Sequence, residues 1–422
     1  MDSQIIVRNS SEIRKHCRLD ASLQVGGMRD VYTIHEKSMR ILFDYQIFYQ
    51  QRVGGVSRYF FELIKALEPH VDEAKLSLRY SNNNYLAGAT FAKGIEPFNE
   101  VDAWLGSRNF PGKAKLFRLA EKLRILPNIA QANAELSLKE LRSGKYDVFH
   151  PTYYNTYHLD SLKKTPLVVT VYDMTHEVFA VDRKTPIRKQ RLLSRADHVI
   201  AISESTRRDV INLLNYPEDR ISTIHLGNSL FPVEIGTDQI EKGLSGQRYI
   251  LFVGNRGGYK NFRRFASAIA PLLNADPELR LKCCGPRFSA GELEFFSKLG
   301  IERQVDYRLA NDEQLVQLYS NALVFVFPSL YEGFGIPVLE SFACRCPLAS
   351  SNTSSLPEVA GDAALYFDPE NEEEIRDCVK QFVDDGLLRD EFRLRGTRQL
   401  SRFSWSETGR ATRAVYKLFE KS

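Results

Sequence analysis

The sequence predicts an α/β protein with two doubly wound parallel sheets, and three observations support this class. Short apolar runs, of the length of strands buried on both faces, alternate with segments of helical periodicity. This alternation is typical of βα units, and it occurs twice along the chain. A polar, glycine-bearing stretch at residues 234–248 separates the two halves. The length of 422 residues suits two or three domains of ~100–200 residues each.

Six apolar runs predict the strands. They lie at residues 41–45, 167–172, 198–202, 249–253, 279–284 and 322–327. Residues 1–38 fit neither half, so they are either an appendage that precedes the core or a small extra subdomain. Ser404 and Glu407 form a capping-box pattern that begins a terminal helix. The predicted organisation is an N-terminal extension (1–38), a first domain (39–236), a second domain (237–403) and a C-terminal helix packing back toward the first domain (404–422).

Composition and charge exclude several classes of protein. The net charge is +4 and the pI about 8.6, which is too weakly basic to indicate binding to nucleic acid. The six cysteines include no CxxC pair, which indicates a reducing compartment and no zinc site. The pair Cys344 and Cys346 is interpreted as buried thiols at a helix end. Because neither an apolar run of ~20 residues nor a signal peptide is found, we expect a cytoplasmic protein.

The stretch YEGFGIPVLE at residues 331–340 places two carboxylates eight residues apart, and we name it the acidic turn. It follows an apolar strand and its proline suits the first turn of a helix, so Glu332 precedes the helix and Glu340 lies about one turn into it. Gly333 and Gly335 allow close approach of a ligand, and the helix start favours an anion such as phosphate. Carboxylates suit the hydroxyl donors of sugars. A plain turn with two solvated glutamates is the alternative.

Two further glycine-rich turns follow predicted strands. Residues 253–261, VGNRGGYKN, form what we name the basic turn, in which Arg256 and Lys260 can neutralise a leaving diphosphate without a metal. Two surface cations are the alternative interpretation. In the first half, Gly54 and Gly55 can bring backbone N–H groups close to an anion, or they form only a tight turn.

Seven stretches across residues 39–420 form a specific pattern, in which the basic turn precedes E-x7-E with its internal EGFG. They are GGVSRY at 54–59, VVTVYDMTHE at 168–177, ADHVIAISESTRRDVI at 196–211, STIHLGN at 222–228, FVGNRGGYKN at 252–261, FPSLYEGFGIPVLES at 327–341 and SNTSSLPEVAGDAALYFDP at 351–369. The pattern resembles that of the retaining glycosyltransferases of family four, whose two domains form the GT-B fold. It is most similar to bacterial O-antigen, capsule and exopolysaccharide transferases, including mannosyltransferase-like members.

The resemblance implies roles for two groups of residues, and the strand pattern suggests a third. Donor binding falls to Gly55, Arg256, Lys260, Arg308, Leu309, Glu332, Gly333, Phe334, Gly335, Ile336 and Glu340. The catalytic assignments are Glu332, Lys260 and Arg256, with Asp173 and His176. At the end of another strand of the first domain, His150 and Tyr153 are predicted on the acceptor side together with Tyr172. A structural role for His150 is the alternative.

Two positions depart from the family's pattern. Many relatives have histidine where this chain has Tyr172, and tyrosine is a poor base at neutral pH. We therefore expect Asp173 or His176 to fill part of that role. Relatives usually have glycine where this chain has Arg345, just after the helix that follows the acidic turn. A left-handed cap is strained for arginine, so we expect a different helix end here.

The resemblance implies a metal-independent, retaining hexosyltransferase that uses no cofactor. In this mechanism the acceptor hydroxyl attacks the anomeric carbon from the face that the diphosphate leaves, and a phosphate oxygen takes the proton. The two cations and the helix start would stabilise the leaving group. The chain has no D-x-D triplet, which agrees with chemistry that needs no metal.

The expected donor is a UDP- or GDP-sugar, either UDP-glucose-like or GDP-mannose, and the expected acceptor is a polysaccharide or a lipid-linked oligosaccharide. Residues 106–128 contain six Lys or Arg and one Glu, with leucines on one helical face. This pattern predicts a basic amphipathic helix in peripheral contact with the inner face of the cytoplasmic membrane. A packed helix with solvated cations is the alternative.

A catalytically weak protein that binds sugar nucleotides with the same fold is the alternative function. A sugar-nucleotide epimerase of this fold is not expected to pair the basic turn with E-x7-E. An NAD-dependent oxidoreductase is disfavoured, because no βα turn contains G-x-G-x-x-G.

Overall fold

The structure is a computed structural model that describes residues 39–98, 112, 115, 116, 128–230 and 246–420. The predicted N-terminal extension lies outside these ranges, as do most of the basic segment at 106–128 and most of the linker at 234–248. Among the described residues, no helix is both long and apolar enough to cross a membrane.

The first domain is built on six parallel strands. They are β1 (Arg40–Phe43), β2 (Glu73–Leu76), β3 (Val148–His150), β4 (Val168–Val171), β5 (His198–Ala201) and β6 (Ile221–Thr223). They pair in the orders β2-β1-β3 and β4-β5-β6, and a parallel bridge between Phe149 and Leu167 joins the two groups. The combined order begins 2-1-3-4-5, as in one common kind of doubly wound sheet. The predicted strands at 41–45, 167–172 and 198–202 are confirmed.

Helices cover this sheet. They are α1 (Gln46–Gln50), α2 (Gly55–Leu67), α3 (Ile129–Arg142), α4 (Thr175–Val178), α5 (Lys184–Arg195) and α6 (Glu204–Leu214). Helix α2 begins at Gly55 and buries one apolar face that includes Phe60, Leu63 and Leu67. Its first turn therefore lies just beyond the carboxyl end of β1, on the side of the sheet where ligands bind in this class of fold.

The second domain has one six-stranded parallel sheet. Its strands are β7 (Arg248–Val253), β8 (Leu279–Cys284), β9 (Val305–Arg308), β10 (Val324–Phe327), β11 (Leu348–Ser351) and β12 (Ala364–Phe367). The spatial order is β12-β11-β10-β7-β8-β9. Counted from β7, this is the order 3-2-1-4-5-6 of a Rossmann sheet, which reverses between β7 and β10. The predicted runs at 249–253, 279–284 and 322–327 are confirmed as strands.

Seven helices pack on the second sheet. They are α7 (Phe262–Ala275), α8 (Ala290–Leu299), α9 (Asp312–Asn321), α10 (Ile336–Ala343), α11 (Leu356–Ala360), α12 (Glu372–Asp384) and α13 (Gly386–Leu400). Alternate residues of β7 enter different cores: Ile250 and Phe252 join one hydrophobic cluster, and Tyr249 and Leu251 join the other. The sheet is therefore buried on both faces, which explains why its strands are continuous apolar runs.

The last helix, α14 (Trp405–Lys417), returns to the first domain. Ser404 caps it, because its hydroxyl accepts the N–H of Glu407 as the capping pattern predicts. Helix α14 packs so closely on α2 that a Cβ added at Gly409 would lie 2.9 Å from the Cβ of Ala66. The close approach of the two backbones explains the glycine at this point of the helix.

The end of α10 contradicts the sequence-based expectation for Arg345. Arg345 adopts the left-handed conformation (φ 53°) after all. Its N–H donates to the carbonyl of Phe342 at 3.0 Å, and the N–H of Cys346 donates to the carbonyl of Ser341 at 2.8 Å. These two bonds form a Schellman motif, which satisfies carbonyls at the helix end and offsets the strain of a left-handed arginine. Cys344 and Cys346 are both buried thiols, as predicted.

Candidate active site

The acidic turn and the basic turn lie side by side at the carboxyl edge of the second sheet. The basic turn follows β7 and the acidic turn follows β10, and these two strands are neighbours at the point where the strand order reverses. The N–H of Leu330 donates to the carbonyl of Tyr259 at 2.8 Å, which ties the two turns together. Ligands of open α/β sheets bind at this position. We therefore take it as the candidate active site.

The acidic turn leads from β10 directly into α10, which confirms the predicted strand-to-helix turn. Gly335 precedes the helix in the left-handed region (φ 99°). A side chain at Gly335 would meet Leu356 at 2.8 Å, so both the backbone and the packing require glycine. Pro337 lies in the first turn of α10, where its missing N–H costs no hydrogen bond. The N–H of Val338 already donates to the carbonyl of Gly335 at 2.9 Å, which leaves the N–H of Ile336 in the first turn to donate to an anion.

Glu332 forms an ion pair with Lys260, and its Oε1 lies 2.6 Å from Nζ. The backbone of Glu332 is held on both sides, since its N–H donates to Ser354 and its carbonyl accepts from the hydroxyl of Ser355. Ser354 adopts a left-handed conformation (φ 52°), which is uncommon for serine. Sequence reasoning assigned no role to these two serines. The only signal was a Ser/Thr-rich segment directly after a strand.

Glu340 is buried at the base of the site, with 8% of its surface exposed. Tyr319 donates its hydroxyl to Oε2 at 3.3 Å, and Nη1 of Arg58 lies 3.7 Å from Oε1. Burial raises the pKa of Glu340, while the positive charge of Arg58 and the Tyr319 hydrogen bond oppose that rise. Arg58 is on α2 of the first domain and also contacts Asp312 at 2.7 Å. Sequence reasoning did not identify it, since its partners lie more than 250 residues away.

Arg256 and Lys260 do not hold the same acid. Nε of Arg256 lies 2.6 Å from Oε1 of Glu292 at the start of α8, and Nη2 donates to the carbonyl of Pro286. The guanidinium also lies over the ring of Phe288. Its Nη1 is buried and has no hydrogen-bond partner among the described residues. The structure therefore places Arg256 beside the β8 edge and Lys260 beside the acidic turn, and does not show them as one clamp.

Gly333 is the point at which the acidic turn meets the first domain. A Cβ built on it would lie 1.8 Å from the carbonyl oxygen of Tyr172, so only glycine fits against this backbone. The carbonyl of Gly333 accepts hydrogen bonds from the hydroxyls of Ser203 at 2.7 Å and Thr206 at 3.1 Å. Both hydroxyls belong to the start of α6, where Ser203 is also the helix cap. The first turn of α6 therefore grips the turn of the other domain.

Tyr331 adds a second contact between the domains. Its hydroxyl donates to Oδ2 of Asp209 at 2.6 Å and accepts the N–H of Met174 at 3.1 Å. Glu358, in α11, accepts the N–H groups of Glu204 and Ser205 at the start of α6. Sequence reasoning missed these partners, because nothing local marks which serine or aspartate of α6 faces the second domain.

The acceptor-side prediction is wrong for His150. This histidine is fully buried, and its two ring nitrogens contact Tyr416 at 2.6 Å and Thr170 at 2.9 Å. Burial lowers the pKa of His150 to about 3, so it is neutral at ordinary pH. It is therefore a structural core histidine, which was the alternative interpretation.

Tyr172 is also buried, and its side chain points away from the cleft. Its hydroxyl donates to the carbonyl of Thr152 at 3.1 Å, and burial raises its pKa well above the usual value. Tyr172 therefore cannot act as a base, and the part of it that faces the acidic turn is its backbone carbonyl, not its ring. Tyr153 is only half-buried and stacks on Tyr172. Burial raises the pKa of Tyr153, and the charges of Asp173 and Asp182 add to the rise.

Asp173 and His176 lie on the segment that follows β4, but each already has a partner. Oδ1 of Asp173 accepts the N–H of Thr175 at 2.9 Å, and Nε2 of His176 lies 3.2 Å from Asp182. Beneath them, the fully buried Lys189 donates to the carbonyl of Asp173 at 2.8 Å and pairs with Glu177. Sequence reasoning missed Lys189, which fixes the path of this segment from below.

The remaining donor-side residues lie around the same edge. Gly55, at the start of α2, faces Ile336, since an added Cβ would lie 3.7 Å from its Cδ1. The ring of Phe334 is buried against His225 and Phe403, which leaves only its backbone for a ligand. Arg308 lines a cavity of about 100 Å³ at the ends of β8 and β9, and Leu309 is 73% exposed.

Metal ligands are not grouped in the described part of the chain, where no cluster of three or more His, Cys, Asp or Glu side chains could hold an ion. The described residues of the site can supply an ammonium group, two guanidinium groups, one buried and one half-buried carboxylate, and a backbone N–H at the start of α10.

Comparison with known proteins gives matches to both halves of the chain. The family described as "Glycosyl transferases group 1" matches residues 237–399, and "Glycosyltransferase Family 4" matches residues 53–229. O-antigen chain mannosyltransferase B of Escherichia coli is 30% identical over 390 residues, across 86% of this chain and 96% of that protein.

Two further proteins extend the comparison. The serotype-specific mannosyltransferase WbdA of Escherichia coli is 28% identical over 238 residues, across 54% of this chain but only 29% of that protein. HepE of Anabaena, solved in complex with UDP and glucose, superposes with a TM-score of 0.65 at 16% identity. That match covers 90% of this chain and 99% of the HepE chain, and it shows a common fold.

Proposed function

The chain belongs to the family 4, group 1 glycosyltransferases of GT-B fold, and we propose that it transfers mannose from a nucleoside diphosphate mannose to a growing O-antigen-like polysaccharide. The choice of mannose is supported by the names of the two Escherichia coli relatives, one of which matches along almost its whole length. The single observation on which the site assignment depends is the Lys260–Glu332 pair at the point where the second sheet reverses.

This pair suits a donor that has both a diphosphate and hydroxyls. A diphosphate at the turn competes with Glu332 for the ammonium group of Lys260, and the sugar hydroxyls compete with Lys260 for the carboxylate of Glu332. Donor binding therefore replaces the Lys260–Glu332 ion pair with two charge-assisted contacts, one from Lys260 to the diphosphate and one from the sugar hydroxyls to Glu332. Glu340 lies eight residues further along and is buried. We assign its carboxylate to accept hydrogen bonds from the ribose hydroxyls.

Transfer proceeds with retention by attack from the face that the diphosphate leaves, with a phosphate oxygen taking the proton. No side-chain base is needed on this route. It agrees with the buried Tyr172 and His150, neither of which can accept a proton from a substrate. Lys260 and the N–H of Ile336 at the start of α10 stabilise the charge on the departing diphosphate. The acceptor enters from the side of the first domain, near Tyr153, Asp173 and His176.

The donor can be identified by a thermal-shift panel of GDP, UDP, ADP and their mannose and glucose derivatives. A nucleotide that binds the native state raises the apparent stability by mass action. GDP-mannose or another mannose nucleotide should give the largest shift. If glucose derivatives give larger shifts than mannose derivatives, the choice of mannose is wrong while the transferase assignment stands.

The catalytic assignment is tested with Lys260→Ala and Glu332→Ala, scored by slow donor hydrolysis and by transfer to a polysaccharide acceptor. We expect each variant to lose about 10²- to 10³-fold in rate, the range for one preorganised electrostatic contact. Lys298→Ala is the matched control, since within the described ranges Lys298 pairs with Glu294 alone, on the exposed face of α8. Unchanged nucleotide release in both site variants would show a sugar-nucleotide-binding protein with little catalysis.

Metal independence is tested by treatment with a chelator. Transfer by the wild-type chain should be the same after dialysis against EDTA as before. Loss of transfer that returns with added Mg²⁺ or Mn²⁺ would contradict this part of the proposal.

A further inference from the structure

A basic and apolar surface borders the candidate active site on the first domain. It comprises the segment after α4 and the outer face of α5, and we name it the basic rim. Its members are Val178, Phe179, Val181, Arg183, Lys184, Ile187, Arg188 and Arg191. Three of its aliphatic side chains are strongly exposed: Val178 at 47%, Val181 at 58% and Ile187 at 66%.

Three of the four cations of the rim share one face of a helix, and the fourth, Arg183, directly precedes that helix. Lys184, Ile187, Arg188 and Arg191 follow the i, i+3, i+4, i+7 spacing along α5, and all four are exposed. The opposite face of α5 is buried through Lys189, Leu192 and Leu193. In the described part of the chain, none of the four cations of the rim forms a salt bridge with a carboxylate. Among the residues that the structure describes, no ion pair therefore neutralises the positive charge of the rim.

The rim reaches the mouth of the cleft. The ring of Phe179 stacks on Tyr259 with centroids 5.7 Å apart and lies edge-on to Tyr331 at 6.1 Å. Tyr259 precedes Lys260 and Tyr331 precedes Glu332, which are the paired residues of the site. A surface that binds to the rim is thus placed beside the entrance for the acceptor.

Exposed aliphatic side chains surrounded by cations match the interface of an anionic bilayer. The apolar groups can enter the headgroup region, while Lys and Arg remain with the lipid phosphates. Each such cation is attracted to an anionic surface, and salt screens this attraction. We propose that the basic rim binds an anionic lipid surface and so brings the cleft to acceptors anchored there. Binding of the rim to lipid does not depend on the proposed function, whereas its role in sugar transfer rests on that function.

The test is co-sedimentation of the full chain with vesicles of phosphatidylcholine, with and without phosphatidylglycerol. The wild-type chain should bind only the anionic vesicles, and the binding should weaken with salt. The double variant Arg188→Glu, Arg191→Glu should lose more than about tenfold in affinity, because two charges that attract the anionic surface become repulsive. Lys139→Glu, Lys145→Glu is the matched control, since both lysines are exposed on the first domain away from the rim, and it should bind as the wild type does.

A second variant separates charge from apolar insertion. Val181→Ser, Ile187→Ser should weaken binding while leaving its salt dependence unchanged. Equal binding by the wild type and the Arg188/Arg191 variant overturns the proposal. The proposal is also overturned if vesicle binding is lost only when the basic segment at 106–128 is altered. That variant changes Lys113, Lys115, Arg118 and Lys122 to Glu.

Failure of the proposed function has a different outcome. If vesicle binding depends on the rim residues but the chain turns over no nucleotide sugar, the proposal for the rim stands and the transferase assignment is wrong. Conversely, the rim variants should keep wild-type donor hydrolysis in the absence of vesicles, because none of these residues contacts Lys260 or Glu332.

Discussion

Arg58 of the first domain reaches Glu340 of the second, with Nη1 3.7 Å from Oε1. Its Nη2 lies 2.7 Å from Oδ2 of Asp312, so one guanidinium of the first domain contacts two acids of the second. Glu340 is the carboxylate that we assign to the ribose, and burial alone would favour its protonated form. The cation that opposes protonation therefore comes from the facing domain, which links nucleotide binding to the contact between domains.

Arg58→Ala should move the pH dependence of nucleotide binding. A protonated Glu340 loses part of its capacity to accept ribose hydroxyls, so affinity falls as the pH decreases through its pKa. Since Arg58 lowers that pKa, its removal raises the pKa further, and the loss of affinity begins at higher pH. Calorimetric titration with GDP and UDP from about pH 8 to about pH 5 measures the profile. Glu340→Gln should bind weakly with a flat profile, and coincident profiles for wild type and Arg58→Ala would contradict the coupling.

Gly333→Ala should prevent the two domains from meeting as they do here. The added methyl group would lie 1.8 Å from the carbonyl oxygen of Tyr172, a distance that no local adjustment of a flexible side chain can relieve. We expect transfer to fall by more than about 10²-fold, since a displaced acidic turn misplaces the groups that hold the donor. Small-angle scattering should show a more open particle. Gly291→Ala in α8 is the control, because its added Cβ meets only the end of Arg263 at 3.9 Å, and it should keep activity and shape.

Two buried histidines should respond in opposite ways to replacement by leucine. His150 has hydrogen bonds to Tyr416 and Thr170, whereas neither ring nitrogen of the buried His158 has a partner among the described residues. His150→Leu leaves the buried hydroxyl of Tyr416 without this partner, whereas Thr170 keeps its contact with Tyr59 at 3.1 Å. The variant should destabilise the chain by about 1–3 kcal/mol. His158→Leu removes an unsatisfied polar group and should stabilise it by a similar amount.

Both replacements should also flatten the pH dependence of stability. Burial lowers the pKa of each histidine to about 3, below its unfolded value near 6.5. Between these two values the unfolded chain binds a proton that the folded chain does not, so the free energy of unfolding decreases as the pH falls. Each histidine contributes up to about 1.4 kcal/mol per pH unit in this window. Urea unfolding at two pH values within this window measures the slope for the wild type and for each variant.

The sequence predicted the strands well because parallel strands buried on both faces are apolar without interruption. The run at 279–284 coincides with β8. The run at 41–45 overshoots β1, which ends at Phe43, since Asp44 leaves the strand and is buried under the N–H and hydroxyl of Thr152. A carboxylate within an apolar run gives no local sign of the partner that satisfies it. The boundary therefore depends on a residue 108 positions away.

The sequence predicted the parts of the candidate site that lie within single turns. It did not predict the contacts that depend on how the two domains pack. The order of the basic and acidic turns placed Lys260 and Glu332 together at one sheet edge. The direction of Arg256 depends on Glu292, which the sequence does not mark, and that of Tyr331 depends on Asp209 in the other domain. Such partners depend on how the helices pack, which the local structural propensity of the sequence does not predict.

Arg345→Gly should stabilise the second domain, although it removes a charged side chain. Arg345 has φ 53°, a conformation that costs a non-glycine residue roughly 1–2 kcal/mol. Glycine relieves this strain but gains freedom in the unfolded chain, which costs about 0.4–1 kcal/mol. The hydrogen bonds of the Schellman motif are made by backbone atoms and persist in the variant.

The exposed Arg345 side chain forms no salt bridge with the described residues, so we expect a net gain of about 0.5–1 kcal/mol in the free energy of unfolding. Gly300 ends α8 in the same left-handed conformation (φ 72°) with room for a Cβ, which makes Gly300→Ala the matched reverse test. It should lose about as much stability as Arg345→Gly gains, because the same backbone strain is now introduced. Urea midpoints of the two variants measured side by side provide the comparison. Loss of stability in Arg345→Gly would mean that its side chain contributes more than the strain costs.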